Sequence, residues 1–310
     1  MGCSKINGTG QDVLIRALAA EGMVRITAIC GTRLVEEAQR VHELSRVATA
    51  ALGRQLMMTV IMAAELKNET DRVSTIFKGD GPGGNMVCTG SPALAVKGTI
   101  LHPEVELPPS AHGKLDVGGL VGKTGTLTVV QDLSLKEPYV GSVNLVSGEI
   151  AEDFAAYYAQ SQQQPSLIYL GVRVQPQTGA VRAAGGILVQ PLPGCPEAEI
   201  DRLQALADQV AKLAQRLDNA EALWTIVGDI FSEMRPQKLA QAEPRYHCDC
   251  SRARIEQALV SVGRDELTAM INQDHGAEVQ CHFCNQTYRF SEAQLKRLLW
   301  SATSGEHDEE

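Results

Sequence analysis

The chain contains no run of about twenty apolar residues and no basic stretch leading into a short apolar one, so neither a membrane span nor a secretory signal is expected. A cytoplasmic protein with no membrane partner is the expectation. Aromatic residues make up only 4% of the sequence, and no Lys/Arg-rich stripe with interleaved aromatics occurs. With a formal net charge of −9 and an acidic Gly305-Glu306-His307-Asp308-Glu309-Glu310 end, a phosphate backbone is a poor main partner, so no nucleic acid is expected. G-x-S-x-G and H-E-x-x-H are both missing, and His42, His102, His112, His247, His275, His282 and His307 are dispersed. Without a nucleophile and base pair, the chain is not expected to be an enzyme. Met1-Gly2-Cys3-Ser4 opens like a lipidation signal, but Ile6 stands where the myristoylation pattern needs Ser or Thr, so an ordinary terminus is expected.

Two near-matches to phosphate-binding motifs also fail. Gly79-Asp80-Gly81-Pro82-Gly83-Gly84 fits G-x-G-x-x-G, yet Asn85 to Gly90 reads as another strand, where the motif needs a helix aimed at a pyrophosphate. A glycine-rich hairpin turn is expected there. Gly122-Lys123-Thr124 resembles the end of a phosphate-binding loop, but Val117 occupies the required first glycine and Thr126 to Val130 continues as a strand. No nucleotide site is predicted.

What the sequence does have is 310 residues, enough for about two domains, with an ordinary 44% hydrophobic and 21% charged content. Of its eight cysteines, Cys3, Cys30, Cys88 and Cys195 are scattered and read as packing residues. The other four are clustered, a distribution that fits a reducing compartment better than a disulfide framework.

Those four are Cys248-Asp249-Cys250 and Cys281-His282-Phe283-Cys284. Two close pairs about thirty residues apart suit one tetrahedral ion, because each short loop supplies two soft sulfurs about 2.3 Å from the metal. Zinc is the expected ion, and an iron–sulfur cluster or a metal-free dithiol remain the alternatives that spacing leaves open. His247 and His282 flank the cysteines, but four thiolates already complete a tetrahedron. The C-x-C pair has a further consequence: a disulfide across one residue closes a small, strained ring, which makes such a bond labile and reversible.

Along the chain, an amphipathic start (Val13, Leu14, Leu18) precedes an alternating, strand-like Met23 to Ile29. Helices are predicted near Arg33 to Leu44 and Arg46 to Leu66, the second apolar enough to be central and buried, with Met57, Met58 and Met62 packed in the core. From Arg72 to Gln190 short strands and glycine turns dominate, including Val73 to Lys78, Gly125 to Val130 and Leu167 to Val174, with one helix over Glu152 to Gln162. The pattern is that of an α+β fold with a largely antiparallel sheet. Beyond Pro191-Leu192-Pro193-Gly194 two helices follow, the first carrying Ile200, Leu203, Leu206, Val210, Leu213 and Leu217 on one stripe and the second Leu223, Trp224, Ile226, Val227, Ile230 and Phe231. The predicted organisation is a core over 1–192, a helical linker over 193–243, a cysteine domain over 244–302 closing with a helix near Ser291 to Trp300, and an acidic tail over 303–310.

Taken with Gly148-Glu149-Ile150-Ala151-Glu152-Asp153-Phe154 and Ala183-Ala184-Gly185-Gly186, the glycine turn at Gly79 and the C-x-C and C-x-x-C pairs, the chain resembles the heat shock protein 33 family over nearly its whole length. The resemblance implies an ATP-independent holdase chaperone that binds unfolding proteins under oxidative stress. It also implies that Cys248, Cys250, Cys281 and Cys284 bind zinc when reduced and form disulfides when oxidised, and that the oxidised form dimerises. The expected pairs are Cys248 with Cys250 and Cys281 with Cys284, since neighbours already converge on one ion. Two rival functions are a thiol oxidoreductase using Cys281 and Cys284, which needs a βαβ setting, and a zinc-module, redox-sensing nucleic-acid binder. Turnover of a disulfide substrate would mark the first and salt-dependent nucleic-acid binding the second.

Overall fold

The computed structural model describes residues 11–110 and 113–304, without the side chains of 301–304, and falls into two compact units, Met1–His247 and Cys248–Glu310. In the first, β1 (Val13–Ala19), β2 (Val24–Cys30), α1 (Thr32–His42) and α2 (Arg46–Ala63) lead into β3 (Arg72–Gly79), β4 (Met86–Gly90) and β5 (Ala95–Ile100). Then come α3 (Val117–Val121), β6 (Gly125–Asp132), β7 (Tyr139–Asn144), α4 (Ala151–Gln160), β8 (Leu167–Val174) and β9 (Val181–Pro191). A connector follows: α5 (Glu197–Ala205), α6 (Ala207–Val210), α7 (Leu213–Asp218), α8 (Leu223–Ile230), β10 (Gln237–Ala242) and β11 (Arg245–Tyr246). The strands form a five-stranded sheet, β10-β1-β2-β9-β8, and a six-stranded sheet, β11-β5-β4-β3-β6-β7. Every pairing is antiparallel except β11 with β5.

Helix α2 lies between the two sheets, against β8 and β9 on one side and β3, β4 and β5 on the other. A helix that is apolar all round has to be covered all round. Every residue of α2 except Arg46 and Arg54 is buried, Met57, Met58 and Met62 among them. Its start is fixed by Ser45, whose Oγ accepts the Ala48 N–H at 3.1 Å. Inside the core Gln55 Nε2 donates to the Thr75 carbonyl at 2.9 Å and the Thr59 and Thr75 hydroxyls meet at 2.8 Å, while Gln55 Oε1 is left without a partner. The buried Asp12 carboxylate caps α1 by accepting the Arg33 and Leu34 N–H groups at 3.0 and 2.7 Å. Burial nevertheless dominates there and pushes its pKa up to about 6.

The outer face of the five-stranded sheet carries a second core. Val13, Ile15, Ala17, Val24, Ile26 and Ile187 from the strands meet Leu203, Val210, Leu213, Leu217, Ile226, Val227 and Phe231 from the connector. The first connector helix breaks into α5, α6 and α7, whereas its apolar stripe predicted one rod. Gly185 of β9 leaves the slot that α7 fills: a Cβ there would stand 2.3 Å from Leu217 Cδ1 and 2.5 Å from Leu213 Cδ2. At the end of α7, Asp218 accepts from Arg173 and Arg182 at 2.9 and 3.0 Å. Ile200 and Leu206, placed on the same stripe by sequence, are only partly buried.

Other departures follow from pairing. The amphipathic start is strand β1, and the last part of the linker is strand β10; in each case a neighbouring strand supplies the hydrogen bonds. Cys88 is a buried free thiol, Cys195 a half-exposed one, and Cys30 is buried with its Sγ 3.8 Å from the Thr32 hydroxyl. Cys3, like the rest of residues 1–10 and residues 305–310 of the acidic tail, lies outside the described residues.

The second unit comprises α9 (Arg252–Ser261), α10 (Arg264–Asn272), the antiparallel hairpin β12 (Gly276–Gln280) and β13 (Thr287–Ser291), and α11 (Glu292–Ser304). Its buried core is small, consisting of Leu259, Leu267, Ile271, Tyr288, Phe290 and Leu295 with Cys281. A core of that size does not hold a fold of about sixty residues without a staple.

Candidate metal centre

Each cysteine pair sits where local structure holds a loop still. Cys248 and Cys250 precede α9, whose first turn is capped by Ser251 accepting the Arg254 N–H at 3.3 Å. Cys281 and Cys284 lie in the turn between β12 and β13. There the Cys281 N–H donates to the Gln286 carbonyl at 2.9 Å, the Asn285 N–H returns to the Cys281 carbonyl at 2.8 Å, and Asn285 takes a positive φ of 58° to close the turn. The hairpin is braced by Arg252, stacked 4.2 Å from the Phe290 ring centroid.

The two loops bring all four sulfurs within 4.8 Å of one another. Cys248 and Cys281 are 3.7 Å apart, and Cys250 and Cys284 are 3.3 Å apart. Four sulfurs at about 2.3 Å from a shared tetrahedral ion stand about 3.8 Å from each other, so this donor set fits one metal of zinc's size and softness. A multi-iron cluster spreads its sulfurs over several metals and needs a wider cage. Among the described residues no other group of three or more metal-ligating side chains converges in this way, and neither His247 nor His282 belongs to the cluster.

The protonation chemistry also calls for a cation. Burial pulls Cys250 up, but the Tyr288 hydroxyl, donating to its sulfur at 3.2 Å, and the adjacent thiols outweigh that and hold it below the ordinary thiol range. Tyr288 is in turn pushed up to about 12 by that bond. Burial, with the nearby sulfurs, pushes Cys284 up to about 11 and Cys248 higher still. Ionisation is therefore favoured at Cys250 and disfavoured at Cys284 and Cys248. A divalent cation reverses that order by neutralising the sulfurs it binds. Tyr288 was missed in the sequence; its signal was the alternation Thr287-Tyr288-Arg289-Phe290, which places Tyr288 and Phe290 on the inward face of β13.

The phosphate near-matches are structural. The Gly79 to Gly84 turn packs against the segment after α3, where a Cβ on Gly81 would lie 2.5 Å from the Gly122 nitrogen. Asp80 accepts the Thr124 N–H at 3.1 Å, so the two glycine motifs fill each other's space. Asp153 likewise spends its buried carboxylate on the N–H groups of Val146 and Ile150 at 2.7 and 3.1 Å, fixing the start of α4.

Fold and site together define an α+β protein of two largely antiparallel sheets with a four-cysteine module near its carboxyl end whose sulfurs fit a metal ion. The family model described as "Hsp33 protein" matches residues 12–291. The 33 kDa chaperonin of Acetivibrio thermocellus is 42% identical over 289 residues, covering 93% of this chain and 97% of its own. That of Enterococcus faecalis is 41% identical over 288 residues, covering 93% and 96%. The crystal structure of the 33 kDa chaperonin (heat shock protein 33 homolog) from Thermotoga maritima superposes with a TM-score of 0.84 at 33% identity, over 95% of this chain and 99% of that one. The chain belongs to the Hsp33 family. The family supports a chaperone role, and the cysteine cluster is compatible with redox control of it.

Proposed function

We propose that the protein is a redox-regulated, ATP-independent holdase: zinc-bound and inactive when reduced, and able to hold unfolding polypeptides once its cysteines are oxidised. The observation that carries this reading is the convergence of Cys248, Cys250, Cys281 and Cys284 in a unit whose own apolar core is small. Zinc would supply the folding energy of that unit, roughly 10–16 kcal/mol in comparable peptides, without redox chemistry of its own. Each disulfide formed delivers two electrons to a peroxide-class oxidant; two thiolates and two protons are consumed and water leaves. Four thiolates lost as ligands release the ion.

The proposed pairs are Cys248 with Cys250 and Cys281 with Cys284. The cross distances, Cys248 to Cys281 at 3.7 Å and Cys250 to Cys284 at 3.3 Å, are short enough for cross pairing to compete with this assignment. Cross pairs, however, would staple the two loops together and keep the unit closed, whereas neighbour pairs leave the loops unlinked and let it unfold. Peptide mapping after peroxide treatment separates the two: dominant cross pairs would remove the link between oxidation and unfolding.

Unfolding in residues 244–302 is proposed to loosen the 193–243 linker from the 1–192 core. Release would uncover the connector's Leu203, Val210, Leu213 and Leu217 together with the apolar sheet face beneath them. Clients are unfolded or misfolded proteins, the oxidised form is a candidate homodimer, the setting is the cytoplasm, and no nucleotide, nucleic acid or membrane takes part. In this role the chain binds clients and catalyses no turnover. The direct test compares reduced and oxidised protein in suppressing aggregation of an unfolding client without nucleotide. Equal activity in the two states would overturn the redox reading, and absence of activity in both would overturn the holdase itself.

A further inference from the structure

The residues between the connector helices and the first cysteines close the edges of both sheets. Strand β10 pairs with β1 from Leu14↔Ala242 to Leu18↔Gln237, and β11 pairs with β5 at Ala95 and Val96. The Arg245 and His247 N–H groups donate to the Leu94 and Val96 carbonyls at 3.0 and 2.8 Å, and the Tyr246 hydroxyl donates to the Gly98 carbonyl at 3.0 Å. Only Glu243 to His247 separate the end of β10 from Cys248.

The edge under β10 is unusual for one that can be uncovered. Val13, Ile15, Ala17 and Ala19 are buried on one face of β1, and Leu14 with the half-buried Leu18 gives the other face apolar ends around the exposed Arg16, so much of this edge suits pairing with an extended apolar chain. Its cover is a poor match. Five of the six β10 residues are exposed, Leu239 at 63%, and the register slips between Arg16 and Ala17, so β10 is held mainly by its main chain. Its two small residues, Ala240 and Ala242, line with Gln241 a pocket of about 120 Å³ whose other walls are Leu14, Ala64, Pro92 and Leu94, with Arg16 at its side. Beside Ala240 and Ala242 there is room for larger side chains than β10 supplies.

We infer that the β1 edge is a client-binding site, taking an extended segment of unfolded polypeptide as an added antiparallel strand when β10 lifts away, with apolar side chains of that segment filling the space beside Leu14 and Leu94. The inference rests on the holdase reading and names the surface that reading uses. Main-chain pairing asks little of sequence, which suits a protein that must accept many clients, and alternate apolar residues are what unfolded strands of globular proteins offer. The same segment that leads into the thiolate cluster guards the site, so access and redox state are joined by covalent continuity.

Hydrogen exchange on the full chain tests this. In the oxidised protein alone, β1 amides should lose protection relative to the reduced protein, and adding an unfolded client should restore it. If clients are held and aggregation is suppressed while β1 protection is unchanged by client, the edge is not the site and the holdase reading survives. If protection returns without client as protein concentration rises, a second copy takes the edge, and the inference is overturned. A synthetic peptide of alternating valine and threonine gives a second measurement: N-methylation of the residues facing β1 should weaken its binding to oxidised protein roughly tenfold for each pair of ladder bonds lost. Ala240→Leu with Ala242→Val, which fills the cavity from the cover side, should lower peptide affinity several-fold with the core's melting unchanged. Unchanged affinity in either experiment overturns recognition through the ladder or the cavity.

Discussion

Gly185→Val is the sharpest probe of how the connector is held. Gly185 sits mid-strand in β9, paired with Cys30 on β2 and Gly171 on β8, so its backbone is pinned on both sides. An added Cβ meets Leu217 Cδ1 at 2.3 Å and Leu213 Cδ2 at 2.5 Å, whereas the next neighbour, the Ile29 carbonyl oxygen, is 3.3 Å away. Both leucines are wholly buried and have no space into which to swing. The strain therefore falls on α7, the softer side of the contact. Overpacking of this kind costs about 1–3 kcal/mol. At about 1.4 kcal/mol per decade, that raises the population of undocked connector about five- to a hundred-fold. In reduced, zinc-loaded protein, amide exchange and protease cleavage over 197–230 should accelerate by that factor, and aggregation suppression should appear without oxidant. Gly186→Ala is the control, because its Cβ points to the opposite face, 2.7 Å from Leu170 Cδ2 in the first core. It should lower the core's stability and leave connector protection in place. If Gly185→Val instead lowers the core's denaturation midpoint and the connector stays protected, the sheet has absorbed the strain and docking is not the weak link.

Removing ligands should act first on the second unit: Cys281→Ser with Cys284→Ser should take zinc from about one per chain to none by metal analysis, abolish the cooperative unfolding of 248–304 and, through the proposed coupling, speed protease cleavage over 193–243. Zinc content that survives this double change would reject the ligand assignment. Leu206→Glu with Val210→Glu places one charge at a half-buried and one at a buried position, a cost of several kcal/mol to docking, read as early cleavage of the reduced connector with zinc still bound. Asp12 gives a pH signature. Its folded pKa, raised by burial to about 6, lies above its unfolded value, so its contribution to stability is full below the unfolded value and is lost as pH rises through about 6. Going from pH 7 to pH 5 should therefore stabilise the core, on the order of 1–2 kcal/mol from this group, and Asp12→Asn should flatten the difference between the two pH values in chemical denaturation.

The sequence by itself determined the features that depend on residue type and short spacing. Four sulfurs in two short loops allow few uses other than a shared soft ion, so Cys248, Cys250, Cys281 and Cys284 were legible before any fold was known. The all-round apolar surface of Arg46 to Ala63 required burial on every side, and the strand that follows each glycine motif was legible from its residues. The tertiary structure decided everything that depends on a partner. Gln237 to Ala242 has no alternation and little apolar surface, and it is a strand only because the β1 edge offers it hydrogen bonds. Val13 to Ala19 carries apolar residues in nearly unbroken succession, a pattern that helix and two-sided strand share; flanking by β2 and β10 settled it. The break of the connector into three pieces, the slot at Gly185 and the closeness of Tyr288 to Cys250 arise from contacts between segments far apart in the chain. Local pattern fixes what a segment can be, and its position and final form are set by surfaces that exist only after the rest has folded.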